Sequence, residues 1–415
     1  MQPSANNRAI KWFAPRLGQT IFPFWYFFFD KYFPLLLDVQ KYILFRGGVN
    51  SLRFFAALLV LLHHSATIGR KYGLFDLENV GLFRNGANAV NFFFVLSGFL
   101  ITYLLQKEQS QTHNINIKQF YLRRIRRIWP LYFLLIAIGT IFLPLAISIS
   151  GLDYQMPYSI GQTWYYFLFF CPIMVLHIYG HHLLEPLWSI GVEEIFYLMW
   201  APLVKFFKKH LPEVIFATMG LKIATEVAAY FFFDSSSVFY LLAFNYNFES
   251  MAIGALGAYL LFNAKSSIEN KLCFKPIVRL PVCSLVLLFL FFNINIDNAV
   301  WNALFFTPIV SPLILSFLYL YVIFSAVLFC KPKGVLENKV LVTLGEISYG
   351  IYMYHCCVMF SVVVLLSKFK DALPQWAVVV LFLSLAVAIT LVVSYFSKRW
   401  FEDWFLQRNK SKVSK

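Results

Sequence analysis

Apolar runs about 20 residues long, enough to cross a bilayer core, recur along the chain between short segments that hold nearly all its charge. They predict membrane-crossing helices near residues 52–68, 87–106, 128–149, 188–206, 213–233, 238–262, 281–297, 306–329, 345–367 and 374–397. A further apolar stretch, 164–179, is short, rich in Trp, Tyr and Phe, and followed by His181 and His182. That combination predicts an interfacial or re-entrant segment on the outer side. The run 21–29 is too short to cross and is interrupted by Asp30 and Lys31. No small-residue cleavage site follows it, so a signal peptide is not expected. The expected organisation is an aromatic, interfacial N-terminal segment at 1–48, a transmembrane domain at 49–405 and a basic cytoplasmic tail at 406–415.

Composition agrees with this pattern. Of 415 residues, 60% are hydrophobic and 13% charged, whereas soluble domains carry about a quarter charged residues. An aromatic content of 20% excludes a disordered chain. The expected fold class is therefore all-α: a polytopic integral membrane protein of about ten transmembrane helices. The formal charge of +15 raises the question of nucleic acid, but the basic residues lie between the apolar runs and read as a topology signal. Assigning alternate loops to opposite sides puts 29 basic residues on one side and five on the other, with Lys222 inside a span. Both termini are then expected in the cytoplasm, in a multi-pass protein of the inner (plasma) membrane. If 164–179 crossed, every later basic loop would face outside.

Ionisable side chains within apolar spans point to function. Arg53 and His64 are eleven positions apart, which places them on one helix face about 16 Å apart in rise. A cation at the mouth can hold an anion, and a deep imidazole can move a proton. In the run Arg123-Arg124-Ile125-Arg126-Arg127, Arg124 and Arg127 share a face. Four guanidiniums exceed what anchoring needs, and their forks match phosphate. Glu193 and Glu194 follow Trp188 and Ser189 in an out-to-in span, where either carboxylate could orient or deprotonate an imidazole. Ser97-Gly98, in an aromatic span, reads as close helix packing. His355 lies mid-span, close in sequence to Glu346. The six cysteines have no CxxC spacing. His177 and His181 have i, i+4 spacing, with Glu185 following, but the segment lacks a third strong ligand at HExxH-type spacing, so no metal site is expected. P-loop, GxGxxG and GxSxG motifs are absent.

Taken in order, these motifs resemble membrane acyltransferase family 3, the ten-helix acyltransferases that acylate cell-surface sugars. The resemblance spans residues 50–401. Leu52-Arg53 through His63-His64 is similar to the family's Arg-x10-His, and Phe93 through Ile101 to its second-helix motif. Arg124-Ile-Arg-Arg127 before Trp129-Pro130 is similar to its Arg-x-x-Arg, and Trp188-Ser-Ile-Gly-Val-Glu-Glu194 to its Trp-Ser-x-x-x-Glu-Glu. Ser348 through His355 adds a weaker fifth match. The resemblance implies an O-acyltransferase, with acetyl as the family-weighted acyl group, and a transmembrane acyltransferase domain at 49–405. Acyl-CoA, acetyl-CoA in the first instance, would be a donor substrate held by Arg53, Arg124 and Arg127; no cofactor is expected to be bound permanently. His64, with Glu193 and Glu194, would be catalytic, acting as general base or acyl relay. Trp188, Ser189 and His355 would bind substrate. The acceptor would be a cell-surface polysaccharide or related glycan, entering from the outer side of the lipid bilayer, with no role for nucleic acid. A transporter or flippase of a lipid-linked saccharide or small acid would use ten spans and midplane charges equally well.

Overall fold

A computed structural model describes residues 48–407, apart from 151–155, 181–182, 294–295, 297, 331–333 and 370. The expectations for the N-terminal segment before Gly48, for His181 and His182, and for the tail beyond Gln407 lie outside the described residues. All regular structure among the described residues is helical. Ten long helices carry the argument: α1, Gly48–Lys71; α2, Gly86–Thr112; α3, Ile117–Ile149; α4, Leu187–Phe206; α5, Leu211–Phe232; α6, Phe248–Glu269; α7, Pro276–Phe292; α8, Val310–Phe329; α9, Ser348–Leu366; and α10, Gln375–Phe396.

Among the described residues, eight helices are long and apolar enough to cross a membrane. The two that fall short among these ten are α6 and α7. In α6, Glu249 and Lys265 dilute an otherwise apolar sequence; α7 has only 17 residues. The apolar run 238–262 is not one helix. It divides into Val238–Asn245 and α6, with non-helical backbone at Tyr246 and Asn247. The Asn245 side chain donates to the Leu241 carbonyl at 2.8 Å, a local side-chain bond of the kind that competes with helix continuation. The stretch 164–179 folds as two short helices, Ile160–Leu168 and Pro172–Tyr179, each too short to span a bilayer.

Helix α3 begins well before the predicted 128. Asn116 caps it by accepting from the Gln119 amide, and it continues through a widened π turn at Ile138–Phe142. Its 33 residues reach about 50 Å, beyond a core of about 30 Å. The arginine run can therefore ride on the same rigid element as the span. Burial ranks the helices. Two-thirds (67%) of the most apolar window of α2 and of α9 is buried, against 28% in α5 and in the helix leading from Gln375 to Leu406. α2 and α9 are thus central, while α5 and α10 offer side chains such as Phe231, Phe232 and Val392 to the surroundings. The α2–α6 seam is held backbone to backbone. A Cβ on Gly98 would strike the Met251 carbonyl, and one on Gly254 would strike the Val95 carbonyl.

Candidate active site

Five helices build one cleft. Arg53 comes from α1, Ser97 from α2, Arg124 and Arg127 from α3, and Glu193 and Tyr197 from α4. Ser348, Tyr349 and Tyr352 of α9 close it. A second hollow shares Arg53, Ser97, Arg124, Arg127 and Tyr197, and runs on to Asn50, Glu346 and Lys398, where α1 begins and α10 ends. The three arginines named from sequence thus meet at the junction of the two hollows, although Arg53 is some seventy positions from the others. Arg123 faces elsewhere and pairs with Glu108 at 2.8 Å.

The carboxylates are held by partners the sequence did not reveal. Ser97 donates to Glu193 Oε1 at 2.6 Å, and the Tyr197 hydroxyl to Oε2 at 3.0 Å. The Trp129 indole donates to Glu194 Oε2 at 3.0 Å. Tyr197 could have been found from its place four residues, one helical turn, after Glu193. Trp129 carried no signal beyond lying next to the arginine run. The packing expectation for Ser97-Gly98 fits Gly98, whereas Ser97 anchors a carboxylate.

The histidines separate by role. His63 Nδ1 donates to the Phe83 carbonyl at 2.9 Å, which ties α1 to the loop before α2. His64 turns to α9, its Nδ1 lying 3.3 Å from His355 Nε2 and 3.5 Å from Cys356 Sγ. The hydrogen bonds of Glu193 and Glu194 described above go to Ser97, Tyr197 and Trp129. His355, expected to bind substrate, is fully buried against His64. Tyr352, one turn before His355, joins the pair to the cleft: its ring lies 5.9 Å from that of His355, and its hydroxyl meets Ser189 Oγ at 2.6 Å. Trp188 packs edge-on against Phe94. Among the described residues, His64, His355 and Cys356 are also the grouping whose ligand atoms, all within 4.8 Å of one another, could hold a metal ion.

The architecture is that of a multi-pass helical membrane protein with a cationic cleft, joined through Tyr352 to a pair of histidines of which His355 is buried and His64 half-buried. Residues 46–396 match the family model described as acyltransferase domain, so the chain belongs to this acyltransferase family. It is similar to O-acetyltransferase OatA of Staphylococcus aureus strain NCTC 8325 / PS 47, with 25% identity over 377 residues, covering 86% of this chain and 56% of OatA. OatA of strains COL and MRSA252 matches with the same figures. The chain spans about half the length of these relatives. No solved structure matches.

Proposed function

We propose that the protein is an integral membrane O-acyltransferase that moves an acyl group, acetyl in the first instance, from cytoplasmic acyl-CoA to a hydroxyl of a cell-surface glycan. One observation carries this reading: α1 presents Arg53 to the cleft that also holds Arg124 and Arg127, and eleven residues further along presents the half-buried His64 to the buried His355. The guanidiniums suit the phosphates of CoA, and the rise of about 16 Å between Arg53 and His64 suits a thin uncharged arm carrying a thioester inward. His64 takes the proton from the acceptor hydroxyl as its oxygen attacks the thioester carbonyl. The carbon–sulfur bond breaks, and CoA leaves as the thiolate to be reprotonated. Glu193, which lines the cleft with Arg53, offsets part of the positive charge of the three arginines. In this reading the arginine end and both termini lie on the cytoplasmic side of the inner membrane, with α6 and α7 completing ten membrane helices; the basic-residue asymmetry supports that orientation.

The test is CoA release by purified protein supplied with acetyl-CoA and an oligosaccharide acceptor, with mass spectrometry of the acceptor. Acceptor gaining one acetyl group per CoA released supports the reading. A protein that moves saccharide across vesicles without consuming acetyl-CoA is instead the transporter.

A further inference from the structure

We infer that His355 is the positioning residue of the site: it fixes the tautomer of His64 so that Nε2 is the basic nitrogen. The inference rests on the acyltransferase reading and adds a role to it that Glu193 and Glu194 were expected to fill.

A chain of hydrogen bonds fixes the tautomers one after another. His355 Nδ1 lies 3.2 Å from the Ile351 carbonyl, one turn back on α9. A carbonyl oxygen only accepts, so Nδ1 of His355 must carry the hydrogen. In the neutral ring the lone pair is then on Nε2. That nitrogen faces His64 Nδ1 at 3.3 Å. Two lone pairs cannot face each other at that distance, so His64 Nδ1 carries a hydrogen and donates it to His355. The lone pair of neutral His64 is thereby assigned to Nε2. The helix carbonyl of Ile351 sets the tautomer of His355, and His355 sets that of His64.

Burial makes the arrangement firm. His355 has no exposed surface, and its ring lies 5.9 Å from that of Tyr352 and 5.0 Å from that of His64. Its orientation is therefore fixed before substrate arrives. When His64 takes a proton and becomes imidazolium, His355 Nε2 remains an acceptor for its Nδ1 hydrogen and stabilises the charged ring. An orienting group acting through a histidine base in this way changes kcat rather than donor affinity. The cleft arginines, from other positions and helices, remain untouched.

The experiment compares His355→Leu, His355→Gln and His64→Ala in purified full-length protein. His355→Leu should lower kcat by at least about 100-fold, the usual scale of general-base catalysis, with KM for acetyl-CoA within about twofold of wild type. His355→Gln, whose amide oxygen can accept from His64 Nδ1, should keep kcat within about tenfold of wild type. It also serves as the test if the leucine variant does not fold. A folded His355→Gln protein as inactive as His64→Ala overturns the inference, as does a loss confined to KM, which would make His355 a substrate contact. A stoichiometric metal in wild-type protein that is absent from His355→Leu also overturns it, because a metal on His64 Nδ1 excludes the hydrogen there. If His64→Ala is itself fully active, the acyltransferase reading fails instead. If only the His355 variants behave as wild type, that reading stands and this inference alone is lost.

Discussion

Ser97 and Glu193, 96 positions apart on α2 and α4, meet at 2.6 Å inside the cleft. The hydroxyl and the carboxylate beside Arg53 form one unit, with Tyr197 holding the second oxygen. Removing a buried donor leaves its acceptor unsatisfied, at about 1–3 kcal/mol. Ser97→Ala should lower the stability of the detergent-purified protein by that amount. Ser97→Ala with Tyr197→Phe should cost more than either alone. An unchanged melting curve for the double variant would show that Glu193 draws nothing from these bonds.

Arg124 and Arg127 line both hollows of the cleft. Charge-assisted hydrogen bonds are worth about 1.5–3 kcal/mol each. The Arg124→Ala, Arg127→Ala double variant should therefore raise KM for acetyl-CoA at least about tenfold, with a smaller change in kcat. Lysine at both positions should restore only part of the affinity, because the planar fork is lost. An unaltered KM would leave the pair as topology anchors.

His63 and His64 should behave oppositely. His64→Ala abolishes acyl transfer while membrane insertion and expression are retained. His63→Ala removes a bond to the Phe83 carbonyl and the ring's packing beside His64 and Gly86, costing about 1 kcal/mol or more of stability, and transfer proceeds. Assays of CoA release on the two variants side by side decide which imidazole does the chemistry.

Lys222 is buried on α5 between two carboxylates, bonded to Glu226 on its own helix and 3.4 Å from Glu249 of α6. Losing one member of a buried ionic group costs about 3–5 kcal/mol. Lys222→Met should fall in that range by thermal denaturation in detergent. The triple change Lys222→Met, Glu226→Gln, Glu249→Gln should recover part of the loss. If the triple variant is no better than the single one, the cluster contributes more than mutual charge compensation.

Glycines at the α2–α6 seam should be intolerant. Gly98→Ala and Gly254→Ala each place a methyl against a backbone carbonyl that cannot rotate away, at about 1–3 kcal/mol or more of overpacking. Gly220→Ala, which meets nothing within 4 Å, should be neutral or stabilising by up to about 1 kcal/mol. Melting temperatures of the three variants test this directly.

How far the sequence reached differs between parts of the site. Arg53 and His64 could be paired in advance because both sit on one helix, where spacing fixes direction. Arg124 and Arg127 were found for the same reason. The bonds from Ser97 to Glu193, Trp129 to Glu194 and His64 to His355 join different helices, and no periodicity within one helix encodes which neighbour lies opposite. The long apolar run at 238–262 misled for a related reason. Hydropathy averages over a window, and a break confined to the two residues Tyr246 and Asn247 barely moves that average. The eight strongest spans were legible because each holds a long apolar stretch.

The α2–α6 seam has a mechanical meaning for catalysis. Ser97 is the residue next to Gly98, so the hydroxyl that holds Glu193 is pinned by a helix that lines neither hollow of the cleft. α6 acts as a buttress. Changes along it, remote from any substrate, will register as catalytic defects through the position of one oxygen atom.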